Sequence, residues 1–227
     1  MQRAGERAGV AITPREAVDV DSLRAEIDRA NRDARVHGIT VLAPLPPSVD
    51  VAEVMEWVDP RKDVEGLHPY NAGRLASGKP TFIPYTAEAI LLLLRESGAH
   101  VEGARAVVVG RSIVVGRPAS LLLMYDHATV TLAHRGTHAL ASVTREAEIL
   151  VVAVGRPHLI TAEMVRHGAV VIDAGINATP DGVVGDVDFD GVSRVASAIT
   201  PVPGGVGSLT TMLLLRNTVT AAEGLPG

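Results

Sequence analysis

The run Val107-Val108-Val109-Gly110-Arg111-Ser112-Ile113-Val114-Val115-Gly116-Arg117-Pro118 joins an apolar strand to the start of a helix through a glycine-bounded loop. Pro118 suits a first helical turn, and such a turn aims backbone N–H groups and the positive helix end at an anion, as a dinucleotide pyrophosphate requires. The glycines stand six apart, which is not the GxGxxG spacing, so an ordinary glycine turn in an α/β sheet is the competing reading. A second candidate, His134-Arg135-Gly136-Thr137, follows the next strand, where dinucleotide folds read the adenosine ribose. Arg135 suits a 2′-phosphate, so NADP is preferred to NAD; a solvated surface arginine is the alternative, and His134 is expected to pack against or hydrogen-bond the loop rather than do proton chemistry. Asp173-Ala174-Gly175-Ile176-Asn177 ends a further strand. Pro201-Val202-Pro203-Gly204-Gly205-Val206-Gly207-Ser208-Leu209-Thr210 offers close backbone approach at a helix start, or equally a tight hinge.

Other chemistries are excluded by counting. With no cysteine among 227 residues, disulfides, thiolate nucleophiles and Cys-bound zinc are impossible. The eight histidines form no HxxxH or HxH pattern, so a histidine metal site has no local support. Lysine occurs only as Lys62 and Lys79. A net charge of −5 and 3% aromatics argue against nucleic-acid partners, and no apolar run is long enough to span a membrane. The first residues carry no apolar signal-peptide region, so the expected location is the cytoplasm.

The elements that must carry these segments follow from periodicity. Apolar or small positions at helical spacing predict an amphipathic helix over 21–36, stopped by His37-Gly38. A short strand is expected over Ile39 to Leu42, a helix over 51–58, and a long polar loop of functional type over 59–84. A buried helix over 87–97 ends at Gly98. Strand-like runs at 106–109, 128–132, 149–154 and 170–173 alternate with helices at 118–125 and 161–167, which predicts βαβ units and an α/β fold with a parallel sheet covered on both faces. A last helix is expected over 208–222.

In order and spacing these segments resemble one family, the bifunctional methylenetetrahydrofolate dehydrogenase/methenyltetrahydrofolate cyclohydrolases known as FolD. The resemblance rests on Pro44-Leu45-Pro46, on Lys62-Asp63-Val64-Glu65-Gly66 within the run from Pro60 to Leu75, on Gly110-Arg111-Ser112 through Gly116-Arg117-Pro118, on Asp173 to Asn177, on Gly185-Asp186-Val187 and on Pro201 to Gly207. It implies a folate or catalytic α/β domain over 1–85 plus the helix 208–224, lacking its first helix and strand, and a Rossmann-type NAD(P) domain over 86–207. It further implies NADP held by Gly110, Arg111, Ser112, Arg135 and Ile176. A tetrahydrofolate derivative is expected in the interdomain cleft, against Val41, Leu42 and Pro203, Gly204, Gly205, Val206, Gly207, Ser208, Leu209 and Thr210, and a homodimer is implied through the Rossmann-type domain.

Several positions depart from that family's pattern. Its Tyr-x-x-x-Lys helix aligns so that Met1 falls at the lysine and the tyrosine lies before the chain begins; a miscalled start is one explanation. Its glutamine reads Leu42, its aspartate reads Glu65, which remains the candidate catalytic carboxylate, and its Cys-Thr-Pro reads Tyr85-Thr86-Ala87. The expectation is an NADP-dependent oxidoreductase of the methylenetetrahydrofolate dehydrogenase type with weak or absent cyclohydrolase activity. The alternative is a catalytically inactive, NADP-binding paralogue with a regulatory or subunit-partner role.

Overall fold

The structure, a computed structural model, describes residues 1–180 and 182–224. The chain divides into two compact units, Met1–Tyr85 with the segment from Thr211 onward, and Thr86–Thr210.

The first unit is built from short helices: α1 (Gln2–Arg7), α2 (Val20–Arg32), α3 (Val51–Glu56), α4 (Pro69–Ala76) and the start of α5 (Tyr85–Glu96). Asp19 caps α2 by accepting the Ser22 N–H while the Ser22 side chain bonds back to the cap, a reciprocal box that fixes where the helix begins. The helix ends at Arg32, four residues short of the expected boundary, because Asp33 turns to extended backbone. Lys62 then finishes it from a distance: its Nζ donates to the carbonyls of Ala30, Asn31 and Asp33, each at 2.8 Å. All three ammonium donors are thus spent on the negative end of α2.

Two further expectations are corrected in this unit. Ile39 to Leu42 is not a strand; Ile39 makes one isolated parallel bridge to Asp63, and the prolines that follow end the pairing. The segment 59–84 is not all loop, since Pro69 at the first helical position opens α4 with His68 Nδ1 accepting the Tyr70 N–H as its cap. Val54, Met55, Leu75 and Phe82 are almost fully buried and form the apolar interior of this unit together with Leu213, Leu214 and Leu215.

The second unit carries a five-stranded parallel sheet, and with it the α/β class expected from the alternating pattern. Its elements are β1 (Arg105–Val109), α6 (Gly116–Tyr125), β2 (Thr129–Ala133), α7 (Leu140–Thr144), β3 (Ile149–Val152), β4 (Val170–Asp173), a hairpin of β5 (Asn177–Thr179) and β6 (Gly182–Val184), α8 (Phe189–Val192) and β7 (Ala198–Ile199); the last helix, α9 (Gly207–Ala222), starts here and belongs to the first unit from Thr211 onward. The expected helix over 161–167 is only a 3-10 turn, Ala162–Met164. The sheet order is β2-β1-β3-β4-β7. The chain therefore leaves β1 in one direction for β2 and returns past β1 to β3; right-handed crossovers lay α6 and α7 on opposite faces. Val107, Val109, Leu150, Val152 and Val171 pack with Leu140 and Val143 of α7 on one face, and the alternate residues Ala106, Val108, Ile149 and Val151 are buried on the other. The direction of the strand order reverses between β1 and β3, and the carboxyl ends of strands at such a switch point are where open α/β sheets take ligands.

Helix α5 closes with a Schellman motif: the Gly98 and Ala99 N–H groups return to the Arg95 and Leu94 carbonyls, with Gly98 at φ +73°. Among the described residues no helix is long and apolar enough to cross a membrane.

Candidate active site

The turn after β1 is shaped by two glycines that touch. Gly110 has φ +127°, and a side chain there would strike the Ala153 carbonyl at the end of β3; one at Gly116 would strike the Gly110 carbonyl. The loop thus closes on itself at the switch point with no room for a Cβ. The sequence suggested that the end of α6 would offer its N–H groups to an anion, and the structure corrects this. Ser112 Oγ accepts from the N–H groups of Val115 (3.1 Å) and Gly116 (3.5 Å), the Ser112 carbonyl accepts from Arg117, and Pro118 has no N–H. The exposed part of the turn is Arg111 and Ser112, whose hydroxyl keeps its proton for a ligand.

Arg135 stands at the tip of the loop after β2, exposed, on a scaffold closed by three bonds. Thr137 Oγ1 accepts the His134 N–H at 2.9 Å, the Thr137 N–H returns to the His134 carbonyl at 2.8 Å, and His134 Nδ1 accepts the Gly136 N–H at 3.1 Å. His134 is therefore used as a loop acceptor. Ile176 follows β4 and is 68% exposed, a large apolar side chain left in solvent. Because β1, β2 and β4 are parallel, their following loops put Gly110, Arg111, Ser112, Arg135 and Ile176 on one edge of the sheet. Two guanidinium groups, a hydroxyl and an apolar face suit a ligand carrying both phosphates and flat rings.

Two buried carboxylates, neither proposed from the sequence as site residues, hold that edge together. Asp173, at the end of β4, accepts from the N–H groups of Gly175, Asp186 and Val187. Burial pushes its carboxyl above the ordinary range, against the pull of those three donors. Asp186 accepts four bonds: Oδ2 from the Val154 and Gly155 N–H groups at 2.6 and 2.9 Å, Oδ1 from the Arg156 N–H at 2.8 Å and Asn177 Nδ2 at 2.9 Å. It thereby fixes the loop leaving β3, next to the residue that Gly110 abuts.

The turn 203–210 begins with the cis peptide Val202–Pro203 and is closed by the Gly205 N–H on the Pro201 carbonyl at 2.8 Å. Ser208 and Thr210 turn their hydroxyls back onto the carbonyls of Gly205 and Gly207. This turn lies in the second unit, whereas Val41, Leu42 and Glu65 lie in the first.

In the first unit the candidate carboxylate is Glu65, which is only 5% exposed. Oε1 accepts from Thr40 Oγ1 at 2.7 Å and from the Val41 N–H at 2.9 Å; Oε2 accepts from the Tyr85 hydroxyl at 3.2 Å. Burial raises the Glu65 carboxyl above the ordinary glutamate range, the three donors oppose that rise, and Asp63 nearby adds to it. Tyr85 is likewise raised, by burial first and then by the carboxylate it faces. Val41 thus joins the carboxylate through its backbone, while the Leu42 side chain, 62% exposed, has no polar group to offer. One buried amide sets the spacing: Asn217 Nδ2, on α9, donates to the carbonyls of Val64 at 2.9 Å and Ile83 at 3.2 Å. Neither Tyr85 nor Asn217 was proposed from the sequence as a site residue. The departure at Tyr85 was the available signal for the first; for the second there was none, since its partners are more than a hundred residues away.

Residues 84–225 match the model "Tetrahydrofolate dehydrogenase/cyclohydrolase, NAD(P)-binding domain" and residues 1–65 match "Tetrahydrofolate dehydrogenase/cyclohydrolase, catalytic domain". The chain is 51% identical to the bifunctional protein FolD of a Parafrankia species over 99% of its own length and 82% of that protein. The bifunctional protein FolD of Roseiflexus castenholzii is 56% identical over 84% of this chain and 67% of that one. Among solved structures, FolD from Trypanosoma brucei, complexed with NADP cofactor and inhibitor, superposes with a TM-score of 0.91 at 38% identity, covering 97% of this chain and 79% of that one.

Proposed function

Because the chain belongs to the tetrahydrofolate dehydrogenase/cyclohydrolase family, we propose that it is an NADP-dependent oxidoreductase of the 5,10-methylenetetrahydrofolate dehydrogenase type in one-carbon folate metabolism. The observation that carries this reading is the edge of the parallel sheet at which two arginines, a serine hydroxyl and an exposed isoleucine follow three parallel strands, beside a turn too tight for any side chain. That set fits NADP. Arg111 and Ser112 bind the pyrophosphate, Arg135 forks onto the 2′-phosphate, and Ile176 lies against a flat ring. NADP, when bound, supplies the hydride acceptor that turns a methylene bridge into methenyl. The residues orient and exclude water; no residue need move a proton for that step.

Glu65 accepts an N–H of the pterin, with Val41, Leu42 and the segment Pro203 to Thr210 as further folate contacts. Hydrolysis of the methenyl product is different, because it needs a positioned group for proton transfer, worth about 10²–10⁴ in rate. Leu42, where the family pattern has a glutamine, contributes no hydrogen bond, so the cyclohydrolase step is proposed to be weak or absent. The protein is further proposed to be cytoplasmic and to pair with a second copy, supported by the open edge of β2, where Thr129, Thr131 and Leu132 are exposed; its mass in solution by light scattering tests the pairing.

The deciding assay follows absorbance of reduced cofactor with methylenetetrahydrofolate and NADP, then decay of the methenyl product. Reduction with slow decay is expected. NADP binding without reduction would overturn the enzyme reading in favour of a non-catalytic binding protein, and rapid decay would overturn the weak second step.

A further inference from the structure

We infer that Tyr85 is the positioning residue for Glu65: its hydroxyl fixes which carboxylate oxygen faces the substrate and in what orientation. This rests on the assignment of Glu65 to the folate. Oε1 already accepts two donors, Thr40 Oγ1 and the Val41 N–H, which use both its lone pairs. Oε2 accepts only the Tyr85 hydroxyl among the described residues, so the lone pair left for a ligand N–H is on Oε2. A glutamate has one more rotatable bond than an aspartate, and without a bond at Oε2 that torsion would be free to turn about the anchored oxygen. Tyr85 removes this freedom. Its own position is built in, because the amide of Asn217 ties the carbonyl of Val64, one residue before Glu65, to the carbonyl of Ile83, two residues before Tyr85.

Two departures from the family pattern, glutamate for aspartate at 65 and tyrosine for cysteine at 85, therefore meet in one hydrogen bond 20 residues apart in sequence. The longer carboxylate and the added hydroxyl act as a pair. The charged and titratable groups around Glu65 are Tyr85, at the start of α5, and Asp63, two residues back on its own loop; Thr40 and Val41 supply the neutral donors. Removing the phenol hydroxyl takes a donor from the ionised form, so the Glu65 carboxyl titrates at higher pH.

The test is Tyr85→Phe in the full chain, with Glu65→Gln and the double variant alongside. For Tyr85→Phe the expected result is a KM for methylenetetrahydrofolate about five- to tenfold higher, an acid limb of kcat/KM moved to higher pH, and NADP affinity within about twofold of the parent. In the Glu65→Gln background the same substitution should add less than about twofold. Incorporation of 3-fluorotyrosine at position 85, which keeps the fold and makes the phenol a stronger donor, should move the acid limb the other way. An unmoved limb in both Tyr85 variants overturns the inference, as does an equal effect with Gln at 65. If instead Glu65→Gln leaves folate kinetics unchanged, it is the underlying assignment of Glu65 that has failed.

Discussion

The Asp173 carboxylate accepts the backbone N–H of Asp186 at 3.1 Å, and Asp186 in turn holds three successive N–H groups of the loop leaving β3. A chain of buried carboxylates thus runs from the end of β4 to the floor of the proposed NADP site. Asp186→Ala removes the shared acceptor of those part-buried N–H groups and empties a fully buried side-chain position. A loss of about 3 kcal/mol in unfolding free energy is expected, with NADP affinity lowered by about tenfold or more; denaturant melts and cofactor titration measure both.

Arg135 projects from a loop closed by His134 and Thr137, so its removal should not disturb the fold. Arg135→Ala is expected to weaken NADP binding by about 10- to 100-fold and leave NAD binding within about twofold, the difference being one charge-assisted phosphate contact. Equal losses for both cofactors would place the 2′-phosphate elsewhere.

Lys62 spends its ammonium on three carbonyls at the end of α2. Lys62→Met is expected to cost about 2–3 kcal/mol of stability while NADP affinity stays unchanged. A large fall in turnover with no loss of stability would instead assign this lysine to the chemistry.

The Glu65 carboxyl is raised by burial, so the folded protein holds that proton more tightly than the unfolded chain does. Stability from this group is fully present below the ordinary glutamate range and is lost as pH rises through the raised value. Glu65→Gln carries no such titration. Melting temperatures of the two proteins should therefore diverge from acid to neutral pH, the Gln variant gaining on the parent. Asp173, also raised, is common to both proteins, so the difference reports Glu65.

The sheet was legible because buried parallel strands are written as continuous apolar runs: Ile149–Val152 is buried at every position. Gly110 and Gly116 were legible as a turn because only glycine tolerates their contacts. What sequence could not reveal depends on partners far away along the chain. The end of α2 is held by Lys62, about thirty residues later, whose three bonds add to the local turn in which the Asp33 side chain accepts the Arg35 N–H. Likewise Asp186 reads as one more loop carboxylate until the loop leaving β3 folds against it. Helix α7 starts after Ala139 in left-handed backbone with no side-chain cap, so no local signal announces it.

The amide of Asn217 reaches the carbonyl of Val64 across 153 residues of chain, and everything in the second unit is encoded between them. On the ribosome, then, the unit that begins first is finished last. The sheet from β1 to β7 is synthesised before α9 exists, and the carboxylate cluster at Glu65 waits for it, without the tie that sets its width. Early release of the growing chain would yield a polypeptide able to assemble its parallel sheet yet missing the clamp on Glu65 and Tyr85.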